Sequence, residues 1–176
     1  MNKGSADNQA FSKLFDEFYT QLLRIAWRIC GSSEVAEELC QEAFLRYYGR
    51  RMRLPQGKEA RYWLIRVVRN LALNHEKRVR REREVYRNIA DNPMRESLNQ
   101  GEIAVLCGES RKYVQKALLG VPYKLRVPLI LKEYAEYPYS TIARILHISE
   151  NNVKVRIFRA RRHLLKHLRK EDLYVP

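Results

Sequence analysis

Apolar residues recur along most of this chain at intervals of three and four, the period of a helix rather than of a strand. Phe11, Leu14, Phe15, Phe18, Leu22, Ile25, Ala26 and Ile29 share one face and predict a first helix over about 11–29, ended by Gly31. Ser32 or Ser33 is placed to cap a second helix, about 34–48, with Glu34 in its first turn and Ala36, Leu39, Cys40, Ala43, Phe44 and Tyr47 inward. A loop over 49–57 precedes a third helix from about Glu59. Its core stripe is Ala60, Trp63, Leu64, Val67, Val68, Leu71 and Ala72, so Trp63 reads as core. Over 80–111 the period is lost, and Asp91-Asn-Pro93, Gly101 and Gly108 mark a linker with room for one short helix. Helical signals return at 111–119 and 122–134. Pro122 suits a helix start, and Pro128 is expected to open, end or kink a helix.

The clearest local pattern is YSTIARILHISENNVKVRIFRARRHLLKHLRK, residues 139–170. Ile142, Ala143, Leu146, Ile148, Val153 and Ile157 space out as a short helix, a tight turn at His147–Ser149 and a second helix from near Asn151. Ala143 sits where two steeply crossing helices need a small side chain. The second helix carries Lys154, Arg156, Arg159, Arg161 and Arg162 beside Asn151 and Asn152. This is the pattern of a helix-turn-helix with a basic, amide-bearing recognition helix, and it points to duplex DNA read in the major groove. A glycine is usual at such a turn; His147 stands there instead, which asks a non-glycine residue to take up a strained backbone. The pattern as a whole predicts an all-α chain: two small helical domains, 1–82 and 112–176, joined by a flexible linker over 83–111, with the helix-turn-helix in the second.

Charge sharpens this picture. The 176 residues hold 34 Lys plus Arg against 20 Asp plus Glu, a net charge of +14, and 45% are hydrophobic, so the chain can bury cores and is not a disordered polycation. Such an excess on a folded protein selects a polyanionic partner. The charge is also partitioned. Residues 50–83 hold twelve Lys or Arg and three acids, whereas residues 34–42 hold four glutamates and no Lys or Arg. A protein that only coated DNA gains nothing from an acidic helix; one that also docks on a basic protein surface does.

Other classes fit poorly. No run approaches the roughly 20 apolar residues needed to span a bilayer, so membrane insertion is not expected. The N-terminal MNKGSADNQA lacks a signal-peptide core. Cysteines 30, 40 and 107 form no close ligand pair and leave one over, which fits a reducing cytoplasm. Glu37, Glu38 and Glu42 have no histidine at ligand spacing. His75, His147, His163 and His167 are scattered, and no phosphate-cradling glycine loop or nucleophile–base pair is present. The chain is therefore expected to be no enzyme and to need no cofactor, metal or small-molecule substrate. An ordinary transcriptional regulator, with a helical ligand-binding or dimerisation domain ahead of a DNA-binding module, is the alternative. It predicts tight specific binding by the free protein, usually as a dimer on a palindrome. A basic RNA-binding protein explains neither the acidic helix nor the helix-turn-helix.

Three stretches carry a family resemblance. Val35-Ala-Glu-Glu-Leu-Cys-Gln-Glu-Ala-Phe-Leu-Arg46 resembles the second conserved region of bacterial extracytoplasmic-function (ECF) RNA polymerase sigma factors. Ala60-Arg-Tyr-Trp-Leu-Ile-Arg-Val-Val-Arg-Asn-Leu-Ala-Leu-Asn74 resembles the adjoining promoter-melting helix. Ala117-Leu-Leu-Gly-Val-Pro122, Arg126-Val-Pro-Leu-Ile-Leu131 and the helix-turn-helix resemble the C-terminal region of that family. The similarity covers about 11–78 and 112–168, with the three motifs in the family's order.

The resemblance implies a mechanism. Glu37, Glu38, Gln41 and Glu42 would contact the clamp helices of the core polymerase's largest subunit, with Leu39 and Phe44 shaping the core beneath. Arg50, Arg51 and Arg53 by the loop, and Arg61, Tyr62, Arg66, Arg69 and Asn70 on the third helix, would hold the melted non-template strand of the minus-ten promoter element; His75 is a further candidate. Lys154, Val155, Phe158 and Arg159 would meet base edges of the minus-thirty-five element, with Asn151, Asn152 and Arg156 nearby and Tyr139 and Ser140 on phosphates. Lys77, Arg78, Arg80 and Arg81 are either phosphate contacts or a solvated helix end. The resemblance further implies control by an anti-sigma factor as a partner.

Overall fold

The computed structural model describes residues 3–89 and 109–172, and every regular element among them is helical. An N-terminal group comprises α1 (Lys3–Cys30), α2 (Ser33–Arg50) and α3 (Lys58–Ile89), with a single 3-10 turn at Arg51–Arg53. A C-terminal group comprises α4 (Glu109–Leu119), α5 (Tyr123–Glu133), α6 (Tyr139–Leu146) and α7 (Glu150–Asp172). This is the all-α architecture expected from the periodicity.

The first two helices are punctuated as their sequence dictates. Gly31 ends α1 with φ +81°, a conformation that L side chains rarely adopt. Ser32 then caps α2, its Oγ accepting from the Val35 N–H at 3.3 Å. Phe18 and Leu22 of α1, Ala36, Cys40 and Ala43 of α2, and Leu64 and Ile65 of α3 are wholly buried where the three helices meet. Burial of each large side chain there stabilises by about 1.5–3 kcal/mol. Trp63 lies half-buried against this core, its ring 5.8 Å from that of Tyr47, on the core side as its stripe predicts. The Tyr47 hydroxyl donates to the Pro55 carbonyl at 3.0 Å and ties the 49–57 segment to α2.

Helix α3 runs on through 83–89, residues that the loss of apolar period assigns to the linker. Its extension is lined with i,i+4 pairs instead: Arg78 with Glu82 at 3.8 Å and Arg80 with Glu84 at 3.7 Å. Such pairs support a helix that has no apolar face to bury. The rest of the linker assignment, 90–108, lies outside the described residues.

Pro128 neither opens nor ends a helix; it stands inside α5. Arg126 to Leu131 are six consecutive buried residues, so this middle stretch of α5 is enclosed on all sides and its apolar period is blurred. The hydrogen bond that Pro128 cannot donate belongs to the carbonyl of Lys124, an exposed residue in the first turn of α5.

The helix-turn-helix forms where the sequence places it. Helix α6 starts after Pro138 and closes at His147, which takes the left-handed conformation at φ 53° and ψ 49°. The Ile148 N–H bonds the Ala143 carbonyl at 3.1 Å, and Ser149 Oγ accepts from the Asn152 N–H at 3.2 Å to cap α7. Val153, Ile157 and Ala160 face the core at 0–1% exposure, which fixes the rotation of α7 about its own axis.

The two groups of helices are packed against each other. Helix α1 meets α4 and α5, α3 meets α6, and one apolar cluster runs from Phe18 and Ile25 to Leu118, Val127 and Ile130. Leu119 fills the space over Gly31, where an added Cβ would lie 2.5 Å from its Cδ1. Gln115, 6% exposed, donates to the Trp27 and Arg28 carbonyls at 3.4 and 3.3 Å and accepts from Arg28 at 3.0 Å. Two domains read separately from the sequence give no hint of this seam.

The cysteines within the described side chains are quiet. Cys40 is buried, and burial, with Cys30 and Glu37 nearby, pushes its thiol up to about 12. Burial also raises Cys30, whose Sγ donates to the Ser32 carbonyl at 3.3 Å. Because the thiolate is the nucleophile, Cys40 is expected to resist iodoacetamide at pH 8 in the folded chain and to react on addition of denaturant, as read by mass spectrometry. Rapid native labelling of Cys40 would contradict that burial.

Candidate nucleic-acid interface

The sequence-predicted residues gather on three surfaces. The first is the outer face of α2. Glu37, Glu38 and Gln41 are exposed on it, and Glu42 is partly covered by Arg46, whose Nε donates to it at 2.6 Å. Leu39 and Phe44 lie beneath, at 9% and 3% exposure, as the motif implies. Beside Gln41 opens an apolar groove of about 430 Å³ between α1 and α2, floored by Phe11, Phe15, Phe44 and Leu45. Phe15 and Leu45 remain exposed, the rings of Phe15 and Phe44 lie 5.0 Å apart edge-on, and no Lys or Arg lines the groove. Acidic residues beside an apolar groove suit a basic, amphipathic partner.

The second surface is the loop side and outer stripe of α3. Arg50 and Arg53 are exposed at the 3-10 turn. Arg51 is engaged locally: its guanidinium stacks 3.9 Å from the Tyr48 ring centre and donates to the Tyr48 carbonyl at 2.7 Å. On α3 itself Arg61, Tyr62, Arg66 and Arg69 point outward from the core but are half-buried, and of the five candidates there only Asn70 is exposed. Arg61 pairs with Glu17 of α1 at 2.8 Å, and Arg69 holds the Asn70 side-chain oxygen at 2.6 Å.

The cover over the rest comes from the C-terminal group. The Tyr137 ring meets Tyr62 edge-on at 5.9 Å. Arg66 donates to His147 Nε2. The Tyr123 hydroxyl donates to the Arg69 carbonyl. Arg144 reaches back to Glu59 at 3.0 Å, and Arg126, buried at 3% exposure, donates to Glu76 at 2.6 Å. The sequence reading missed this set. Its one legible signal was Arg126, a lone cation in an otherwise apolar buried run; buried arginines are almost always paired.

The third surface is α7 and the start of α6. Asn151, Asn152, Lys154, Val155, Phe158 and Arg159 are all exposed on the face opposite Val153, Ile157 and Ala160. Phe158 is 63% exposed, far more than a ring of structural purpose needs. Arg156 is half-buried, donating to the Asn152 side-chain oxygen at 2.8 Å. Tyr139 is held between Lys132 and Lys154, at 5.1 and 5.9 Å from its ring centre, and Ser140 is exposed beside it. Past the reading face, Arg159, Arg162, His163 and Lys166 line a shallow hollow that continues the cationic strip. Amides, cations and apolar groups on one open helix face are the chemistry that distinguishes base pairs in a major groove.

Among the described residues no group of His, Cys, Asp and Glu is arranged to hold a metal, and no helix is long and apolar enough to cross a membrane.

Comparisons with known proteins match the two regions that carry these surfaces. The model for Sigma-70 region 2 matches residues 14–83, and that for Sigma-70 region 4 matches residues 111–164. The chain is 30% identical over 173 residues to the ECF RNA polymerase sigma factor SigW of Bacillus subtilis, covering 93% of this chain and 91% of that protein. It is 30% identical over 170 residues to the RNA polymerase sigma-H factor of Pseudomonas aeruginosa, covering 92% and 88%. Among solved structures, the sigma factor RpoE of Bartonella quintana, crystallised with the anti-sigma factor NepR, has the same fold, with a TM-score of 0.69 at 20% identity over 90% of this chain and 96% of that one. The acidic helix, the basic α3 and the open helix-turn-helix thus fall within the two matched regions, and the chain belongs to the ECF sigma factors of the sigma-70 family.

Proposed function

We propose that this ECF sigma factor divides its work among the three surfaces. The acidic face of α2, with Glu37, Glu38, Gln41 and Glu42, docks on core RNA polymerase, and the neighbouring apolar groove adds contact area. The 49–57 segment and α3 hold the non-template strand of the minus-ten element once it is melted. Cationic side chains and Tyr62 supply what single-strand capture needs: charge for the backbone and a ring face for an unstacked base. Helix α7 enters the major groove of the minus-thirty-five element, with Lys154, Val155, Phe158 and Arg159 at base edges and Asn151, Asn152 and Arg156 beside them. Tyr139 and Ser140, at the start of α6, anchor phosphates. The chain acts as a non-catalytic initiation subunit in the cytoplasm under the control of an anti-sigma factor.

The observation that carries this reading is the clean division of α7: three residues in the core at 0–1% exposure, and six candidate DNA contacts on the exposed face. Arg159→Ala is expected to cost roughly 1–3 kcal/mol on the preferred minus-thirty-five sequence and to relax preference at one base pair, measured with the reconstituted holoenzyme on promoter variants. An equal loss on every sequence would make Arg159 a phosphate contact instead.

A further inference from the structure

We infer that α7 grips the promoter backbone beyond the minus-thirty-five element: Arg162, His163 and Lys166 form a phosphate site for the strand that borders the groove read by the turns before them. The inference rests on the assignment of α7 to that groove made above. Arg159, Arg162, His163 and Lys166 stand at the i, i+3, i+4 and i+7 spacing that collects side chains on one face of a helix. All four are exposed, and together they line a hollow of about 200 Å³. Arg159, already placed at a base edge, forms its inner wall. No residue of another helix enters the lining, so the hollow opens outward on the side of α7 turned away from Val153, Ile157 and Ala160.

Charge and position choose the occupant. Elsewhere on α7 cations are matched by acids: Lys154 pairs with Glu150 at 3.5 Å, and Arg161 is held by Glu133 at 2.6 Å. Among the described residues no carboxylate pairs with Arg159, Arg162, His163 or Lys166. Arg162 is three residues from Arg159 and four from Lys166, spacings at which like charges repel, so the cluster costs the free chain stability and rewards a polyanion. The middle of residues 162–166 lies about 11 Å along the helix from the middle of the reading residues 154–159, at roughly 1.5 Å per residue. A major groove is about 12 Å wide, so a helix centred in it by those residues meets the bounding strand within about 6 Å. The hollow therefore lies over phosphates, where no base edge is in reach. Its continuity with the reading face selects DNA rather than an acidic protein as the occupant. Phosphate contacts carry no sequence information; they fix the register of α7 on the duplex and add affinity that falls steeply with salt.

The experiment uses holoenzyme reconstituted with the full chain and a promoter duplex recovered by run-off transcription. Binding by wild type, R162Q/K166Q and R159A is measured between about 50 and 200 mM salt. Circular dichroism checks the fold of each. R162Q/K166Q is expected to lose affinity equally on every minus-thirty-five sequence. Its plot of log affinity against log salt is expected to be shallower by about 1.8, two contacts at about 0.9 each, so its deficit against wild type shrinks about 12-fold over that range. Neutral methylphosphonate linkages placed just outside the element are expected to weaken wild type and to leave the double variant little changed. That result ties the effect to those phosphates rather than to a general loss of two charges. Equal weakening of both proteins overturns the proposal. So does an unchanged salt slope in a folded double variant, even where that variant loses an acidic protein partner instead. A loss confined to one base pair also overturns it, because Arg162 or Lys166 would then read a base. R159A separates the two failures. A selective loss for R159A beside a silent double variant overturns the hollow and leaves α7 in the groove; no loss from either variant overturns the assignment of α7 as well.

Discussion

Replacing Glu38 and Glu42 together by lysine is expected to abolish co-purification with core polymerase while leaving the fold intact. Both carboxylates stand on the solvent side of α2, and Glu42 is tied only to Arg46 on the same helix. Neither supports the packing of Leu39, Ala43 or Phe44 beneath, so thermal unfolding should shift by no more than the roughly 0.5 kcal/mol usual for surface changes. Against a basic docking surface the two reversals turn attraction into like-charge contact, which costs several kcal/mol and lowers affinity by about 100-fold or more. Undiminished retention of the double variant on core polymerase would sink the docking assignment, whatever became of the promoter contacts.

The largest effect on stability is expected at Phe18. Its side chain is 0% exposed at the meeting of α1, α2 and α3, with the Arg61 guanidinium 5.5 Å from its ring centre. Phe18→Ala removes the buried ring and leaves a cavity that three rigid helices close only in part, at about 3–5 kcal/mol. For a chain of this length that corresponds to a fall of about 10 °C in melting temperature, followed by circular dichroism. Phe15, on the same helix and 37% exposed in the groove, provides the control, and its alanine variant should lose far less. A melting temperature for Phe18→Ala equal to that of Phe15→Ala would mean that the N-terminal core is not built around Phe18.

How far the fold was legible depended on what holds each element. Helices α1, α2 and α6 bury one stripe; α2 and α6 are found where the period places them, and α1 ends as predicted but begins at Lys3, ahead of the stripe that opens at Phe11. The turn at His147 was readable because only a few backbone conformations join two helices so tightly, and the chain accepts the left-handed one at a histidine. The end of α3 was not, because charge pairs rather than apolar contacts sustain 78–84, and an ion-pair ladder leaves no hydrophobic period. Of the three outcomes open to Pro128, a helix start and a helix end are excluded by its place inside α5, and the choice among them depended on tertiary surroundings.

The candidate sites divide in the same way. Helix α7 and the acidic face of α2 were legible because each is set by residues on a single helix. The cover over α3 was not, because Arg66 and His147 are 81 positions apart in the chain and meet only through the packing of the two groups of helices, α3 on α6 and α1 on α4 and α5. A pairing of that kind leaves no periodic trace. Gln115 and Arg126 mark the seam as buried polar residues that find partners across it, Gln115 at Trp27 and Arg28 and Arg126 at Glu76.

The central claim, that this chain confers promoter recognition on RNA polymerase, is tested most directly by run-off transcription. Purified bacterial core polymerase is assayed with and without the protein on a pool of genomic promoters. The account predicts discrete transcripts that depend on the protein, with upstream sequences sharing a minus-ten and a minus-thirty-five element, and weak or absent specific binding to those promoters by the protein alone. No dependent transcripts, together with tight specific binding by the free protein, would contradict it and describe an ordinary regulator instead.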